Sequence, residues 1–257
     1  MTFSPRLAVS KAYVLAEMET RKLLHDPTEL ISRAVQPILW LGIFGEALSK
    51  TRTLSTPGLS YLQFIAPGIL TQSVVFVAIF YGLYVIMDRD TGVLQKLLVT
   101  PTPRISLVWG KMAAAGVRGL SQAIIVYLFA TVLGIHLRVT PLTVGGVVVI
   151  VILGGSFFTG LSMIVAAIVK TRERFMGIGQ VITLPLFFAS SAIYPISIMP
   201  GWLQRVSNVN PLSYMVDALR ALMLDTPGRV GLDMAVLAAA ALAISLVSAW
   251  FYPKVVM

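Results

Sequence analysis

The chain has 257 residues, of which 57% are hydrophobic and 12% charged, with a mean hydropathy of +0.86. Charged residues make up about a quarter of a soluble globular domain, so this composition excludes that class and leaves an all-α integral membrane protein. The net charge of +9 lies in stretches beside apolar runs, where topology and anionic headgroups account for it without nucleic acid; the absence of cysteine excludes disulfides, thiolate metal sites and cysteine nucleophiles.

The N-terminal stretch is polar and charged to about Glu29, which argues against a cleavable signal peptide. Within it, Leu7 to Leu24 predicts an amphipathic helix, with Leu7, Val14, Leu15, Met18 and Leu23 on one side and Lys11, Glu17, Arg21 and Lys22 elsewhere. A basic amphipathic helix ahead of a first span favours a position in the interface plane over a solvated one. The first span is expected from Ile31 to Leu48, with Arg33 able to snorkel, Pro37 kinking the helix and Glu46 at the far interface. A polar loop with Lys50, Arg52, Pro57 and Gly58 follows. The second span, Tyr61 to Met87, exceeds the roughly 20 residues needed to cross, and Pro67-Gly68 predicts a bend near its start.

Residues 88–104 then interrupt the apolar runs. Asp90 or Thr91 is expected to cap a short helix, with Asp88, Arg89 and Asp90 at its N-terminal end and Lys96 near its C-terminal end. Val93, Leu94, Leu97 and Leu98 share a face at helical spacing, and Pro101 with Pro103 stops the helix. A helix shorter than about 12 residues is marginal alone, so the membrane surface or a soluble partner is expected to hold it.

The third span is expected from Met112 to Ile135, with Arg118 and Gln122 one turn apart; snorkelling or helix–helix bonding is favoured for Arg118 over substrate binding. The fourth, Leu142 to Val169, carries Gly145, Gly146, Gly154, Gly155, Ser156, Gly160 and Ser162, which predicts close helix packing. The compact basic loop Lys170-Thr171-Arg172-Glu173-Arg174 leads to a fifth span, Phe175 to Ile193, interrupted by Pro185. Ile196 to Leu224 is too short and polar to span, which predicts re-entrant or interfacial helices, with Met215, Leu219, Leu222 and Met223 near one another and Asp217 and Arg220 at i,i+3. The sixth span is expected from Leu232 to Tyr252.

With the N-terminus cytoplasmic, that side receives Arg6, Lys11, Arg21, Lys22, Arg33, Arg89, Lys96, Arg104, Lys111, Lys170, Arg172, Arg174 and Lys254. The other side receives Lys50, Arg52, Arg138, Arg205, Arg220 and Arg229. Arg118 aside, thirteen against six favours both termini inside and a cytoplasmic location for residues 88–104. No nucleotide-binding, metalloprotease or catalytic motif is present, and His25 and His136 have no ligand spacing around them. No catalytic residue, metal site or cofactor is therefore expected on this chain.

The sequence Asp88-Arg89-Asp90-Thr91-Gly92-Val93-Leu94-Gln95-Lys96-Leu97-Leu98-Val99-Thr100-Pro101 resembles the E-R-E-x-G-T-L-E-x-L-x-x-T-P pattern of the ABC-2 type transporter permeases, with Asp where that family often has Glu. Asn210-Pro211-Leu212-Ser213-Tyr214 is a second local match. Length and style are most similar to daunorubicin-resistance-like drug-efflux permeases. The resemblance implies one transmembrane domain over 1–257, with a cytoplasmic interfacial helix at 1–30, a six-span bundle over 31–252, a coupling helix loop at 88–104 and a re-entrant external segment at 196–224. It implies a plasma-membrane dimer, homo- or heteromeric, in which each permease binds a separate ATPase carrying ATP and Mg. The coupling residues would be Asp88, Arg89, Asp90, Gly92, Val93, Leu94, Lys96, Leu97, Leu98, Thr100 and Pro101. Lys170, Arg172, Glu173 and Arg174 would supply a secondary contact, and Asp217 with Arg220 would line or cap the exit. On this reading Leu94→Asp or Leu97→Asp leaves insertion intact and abolishes ATPase association. The implied function is outward movement of a hydrophobic or amphipathic substrate, foremost a drug, with polysaccharide or lipid-linked substrates as the alternative. A self-sufficient carrier or channel, and an intramembrane enzyme, are the competing classes.

Overall fold

The computed structural model describes residues 10, 13–14, 17–18, 21, 27–49, 59–99 and 103–252. Among these residues the chain is helical, with no strand. Most of the Leu7–Leu24 amphipathic stretch, the 50–58 loop, His25, Thr100, Pro101, Lys254 and the side chains of Leu97 and Leu98 lie outside the described set.

Helix α1 (Pro27–Leu39) continues through a π-helical turn, Trp40–Gly45, into the short α2 (Glu46–Ser49). Pro37 removes a backbone donor from α1 one turn before the π segment, and such defects bend helices. The expected first span is thus three joined pieces. Helix α3 (Tyr61–Asp90) starts at a capping box in which Ser60 and Gln63 satisfy each other's backbone N–H. Its 30 residues reach about 45 Å, well past a hydrocarbon core of about 30 Å, so the span extends three residues beyond the expected Met87 and carries its charged end clear of the apolar zone.

Helix α4 (Val93–Val99) follows a two-residue turn, and α5 (Arg104–Val132) begins directly after Pro103. Helix α5 therefore starts eight residues ahead of the expected Met112 and ends at Val132, short of the expected Ile135. Helix α6 (Pro141–Val169) starts where Thr140 caps it and Pro141 occupies its first turn, and ends at left-handed Lys170. Helix α7 (Arg172–Phe188) is shorter than the fifth span expected and stops one turn after Pro185. A single 3-10 turn, Ile196–Ile198, leads to α8 (Gly201–Val209), α9 (Pro211–Leu224) and α10 (Val230–Phe251).

Four of these helices, α3, α5, α6 and α10, are long and apolar enough to cross a membrane. Helix α6 is the axis of the bundle, packed by α3, α5, α9 and α10. Its small residues make this possible: a Cβ on Gly160 would lie 2.6 Å from Met112 of α5 and 2.8 Å from Ile244 of α10. Ser248 of α10 also donates to the Gly160 carbonyl at 2.8 Å.

Candidate functional site

At one end of the bundle the C-terminus of α3, the start of α5, the α6–α7 turn and the end of α10 meet around α4. Thr91 does not cap α4 but closes α3, its Oγ1 donating to the Met87 carbonyl at 2.9 Å. Gly92 turns the chain with φ +75°, a conformation that costs other residues about 1 kcal/mol or more. Asp88, Arg89 and Asp90 consequently belong to the end of α3, which corrects the expectation of an acidic N-terminus on the short helix.

Leu94 anchors α4. Its side chain is 0% exposed, inserted among Val85, Leu107, Val108, Met112, Met163, Ala167 and Tyr252. Val93, expected on the same face, is 43% exposed, and Val99 is 87% exposed. A carboxylate at Leu94 would enter an apolar cluster, so Leu94→Asp would disrupt the permease itself and cannot report on partner binding alone. Charges fasten the same region. Lys111 donates to Asp88 Oδ2 at 2.7 Å, while Arg89 (2.7 Å) and Arg172 (3.0 Å) both donate to Asp90. The 88–104 loop and the 170–174 turn are thus in direct contact, whereas Lys170, Glu173 and Arg174 point outward and are exposed.

Farther along α3, an elongated cavity of about 190 Å³ opens between α1, α3 and α7. Its walls are apolar, chiefly Val75, Phe76, Phe80 and Phe187, with Gln36, Gln72, Gln180 and Thr183 as the polar groups. The buried Oε1 of Gln72 has no hydrogen-bond partner among the described residues. Arg118 is buried between α5 and α3, donating to Tyr81 at 3.1 Å and lying over the Tyr81 and Tyr84 rings, while Arg33 donates to Tyr84 at 3.1 Å. Arg118 therefore bonds helix to helix, as favoured from the sequence. Gln122 is also buried.

The opposite end is closed by the α8–α9 hairpin. Asn210 caps α9 through its Oδ1, which accepts from Leu212 at 3.0 Å, while its Nδ2 donates to the Leu186 (2.7 Å) and Ala189 (3.2 Å) carbonyls at the end of α7. Almost three turns of α9 farther on, Arg220 spreads over the Phe64 ring at 3.9 Å and donates to the Ser191 carbonyl at 2.6 Å and Asp217 at 3.3 Å. Ser191 donates in turn to Asp217 at 2.6 Å. Gly68 lets the 189–195 segment approach: a Cβ there would stand 2.2 Å from the Ala192 carbonyl oxygen. Among the described residues no group of His, Asp and Glu gathers as a metal site.

The family described as ABC-2 type transporter matches residues 11–224, which take in the α3–α4 turn and the Asn210 hairpin. The chain belongs to that family. Among its relatives is the ycf38 protein of Cyanophora paradoxa, which carries a transport-permease name, 33% identical over 83% of this chain and 74% of the relative. The daunorubicin resistance ABC transporter permease protein DrrB1 of Streptomyces coeruleorubidus is 26% identical, over 79% of this chain and 71% of the relative. Nodulation protein J of Rhizobium meliloti is also 26% identical, over 77% and 75%.

In this ABC-2 permease, sequence reasoning missed the residues that join these segments. Tyr252, fully buried against Leu94, had no signal beyond being an aromatic at a span end. Ser191 and Phe64, the partners of Arg220, lie 29 and 156 residues away from it, beyond any local pattern.

Proposed function

We propose that this permease is the membrane subunit of an ABC-2 exporter, forming an outward path for a hydrophobic or amphipathic molecule and driven by separate ATPase subunits that carry ATP and Mg. The observation that carries this reading is α4, a seven-residue helix held to the bundle through Leu94 that leaves Val93, Gln95, Lys96 and Val99 exposed beside the exposed 170–174 turn. A surface of that kind, on a helix too short to stand alone, suits a soluble motor. We read the α1–α2 segment, α3, α5, α6, α7 and α10 as six crossings, with both termini and α4 cytoplasmic and α8–α9 as a re-entrant cap on the far side. Helical Tyr13, Val14 and Met18 are exposed, which supports an interfacial position for the N-terminal stretch. The permease acts in the plasma membrane as a dimer with a second permease. The chain contributes no catalytic group, and its work is to move helices.

The apolar cavity between α1, α3 and α7, with amide and hydroxyl groups and no charged side chain in its lining, supports a neutral amphipathic cargo, and the relative named for daunorubicin resistance favours a drug. Val99→Asp tests the motor assignment, because a charge at this exposed position leaves packing untouched. The variant is expected to insert with unchanged thermal stability while retaining less than a tenth of the co-purifying ATPase. Parental retention of the ATPase overturns the assignment of α4.

A further inference from the structure

We propose that Asp90 and Arg172 form the tie through which a displacement of α4 reaches α7, making Arg172 a positioning residue within the permease rather than a docking contact for the motor. The inference rests on the motor reading above and concerns how the motion travels.

Three observations converge on it. Arg172 is the first residue of α7 and follows left-handed Lys170, which reverses the chain after α6 and brings the Arg172 side chain within 3.0 Å of Asp90. Asp90 is the last residue of α3, separated from α4 by Thr91 and Gly92, and Arg89 orients its carboxylate by donating at 2.7 Å to the oxygen that Arg172 leaves open. One turn along α7, Phe175 is buried against Ile86 of α3 and Ala166 of α6. The foot of α7 is therefore joined to the end of α3, beside the start of α4, by one half-exposed ion pair and one buried ring.

Above that foot α7 buries only Gly179 and Phe187. Met176, Ile178, Val181 and Leu184 are exposed, and the cavity separates its middle from α3. Helix α3 itself is braced differently: Ser162 of α6 donates to the Ile79 carbonyl and accepts from the Gly82 N–H at 2.9 Å, where a Cβ on Gly82 would meet the Ser162 hydroxyl. The Ile79–Gly82 brace lies about two turns before Asp90, so a push on α4 reaches only the last turns of α3, where Asp90 passes it to α7. The tie directs it into α7, the wall of the cavity that can move.

The absence of cysteine makes the test clean. In membranes containing the permease and its co-purifying ATPase, Leu184→Cys, in the lining of the cavity, is labelled with a maleimide in the presence and absence of ATP with vanadate. The labelling rate is expected to change several-fold with nucleotide. Arg172→Gln and Asp90→Asn are each expected to abolish the change while the ATPase still co-purifies, Arg172→Lys to preserve it, and the double variant to be no worse than either single one. A nucleotide response that survives in Arg172→Gln overturns the tie, and so does loss of the ATPase in that variant, which would make Arg172 a docking residue. A parent with neither nucleotide response nor bound ATPase overturns the motor reading, and the tie with it.

Discussion

Leu94→Ala isolates what holds α4 in place. The side chain is completely buried in an apolar cluster built from α3, α5, α6 and the end of α10. Truncating a buried leucine costs about 2–5 kcal/mol, from lost transfer energy and the cavity left behind. A seven-residue helix has no appreciable stability of its own, so the loss falls on docking of α4 rather than being absorbed by the helix. Taking about 3 kcal/mol, the undocked population rises roughly a hundredfold at about 1.4 kcal/mol per decade. Amide hydrogen exchange over residues 93–99 reads that change directly, and exchange there should accelerate by about two orders of magnitude. Exchange in the middle of α6 should stay near the parental rate. Unchanged exchange at 93–99 would show that other contacts dock α4, and the anchoring role given to Leu94 would fail.

Asn210→Ala removes an N-cap and both bonds to the end of α7, and should cost about 2 kcal/mol, read as a lowered Tm in detergent; Asn210→Asp, which keeps the cap alone, should recover roughly half of it. Gly68→Ala drives a methyl into the Ala192 backbone, so a loss of about 1–3 kcal/mol is expected, and a Tm equal to that of the parent would contradict the close approach. Lys111→Met breaks the half-buried pair with Asp88 at the foot of α5; a loss of about 1 kcal/mol in chemical denaturation is expected, largely shared by Asp88→Asn because both remove one interaction.

Much of this arrangement was legible in the sequence because it depends on local chemistry. Apolar length marked α3, α5, α6 and α10, Thr140-Pro141 opens α6, and the small residues of α6 announced close packing that Gly160 and Ser162 make. The joins were less legible. Val93 and Leu94 are equally apolar and adjacent, yet only Leu94 is buried, because the direction from which α5, α6 and Tyr252 approach decides which side of α4 is covered. Asp90 was expected to serve as a cap because acids suit helix starts; α3 instead runs past the apolar zone and carries that carboxylate to its own end, where Arg172 can reach it. The third span was expected only from Met112 because charges interrupt the apolar pattern before it, although Pro103 releases the chain into helix immediately. For the same reason Asp217 and Arg220 were paired correctly by spacing, while the ring and carbonyl that complete their site came from distant parts of the chain.

The seam between α6 and α10 bears on how the protein is made. Ile244 and Ser248 fill the groove at Gly160, and they belong to a helix that leaves the ribosome well after α6. Until synthesis passes about residue 250, the centre of the nascent bundle has an open flank, and premature termination anywhere upstream leaves a set of inserted helices that cannot close. Such fragments are natural clients for membrane quality control, and α10 is the piece whose arrival closes that flank.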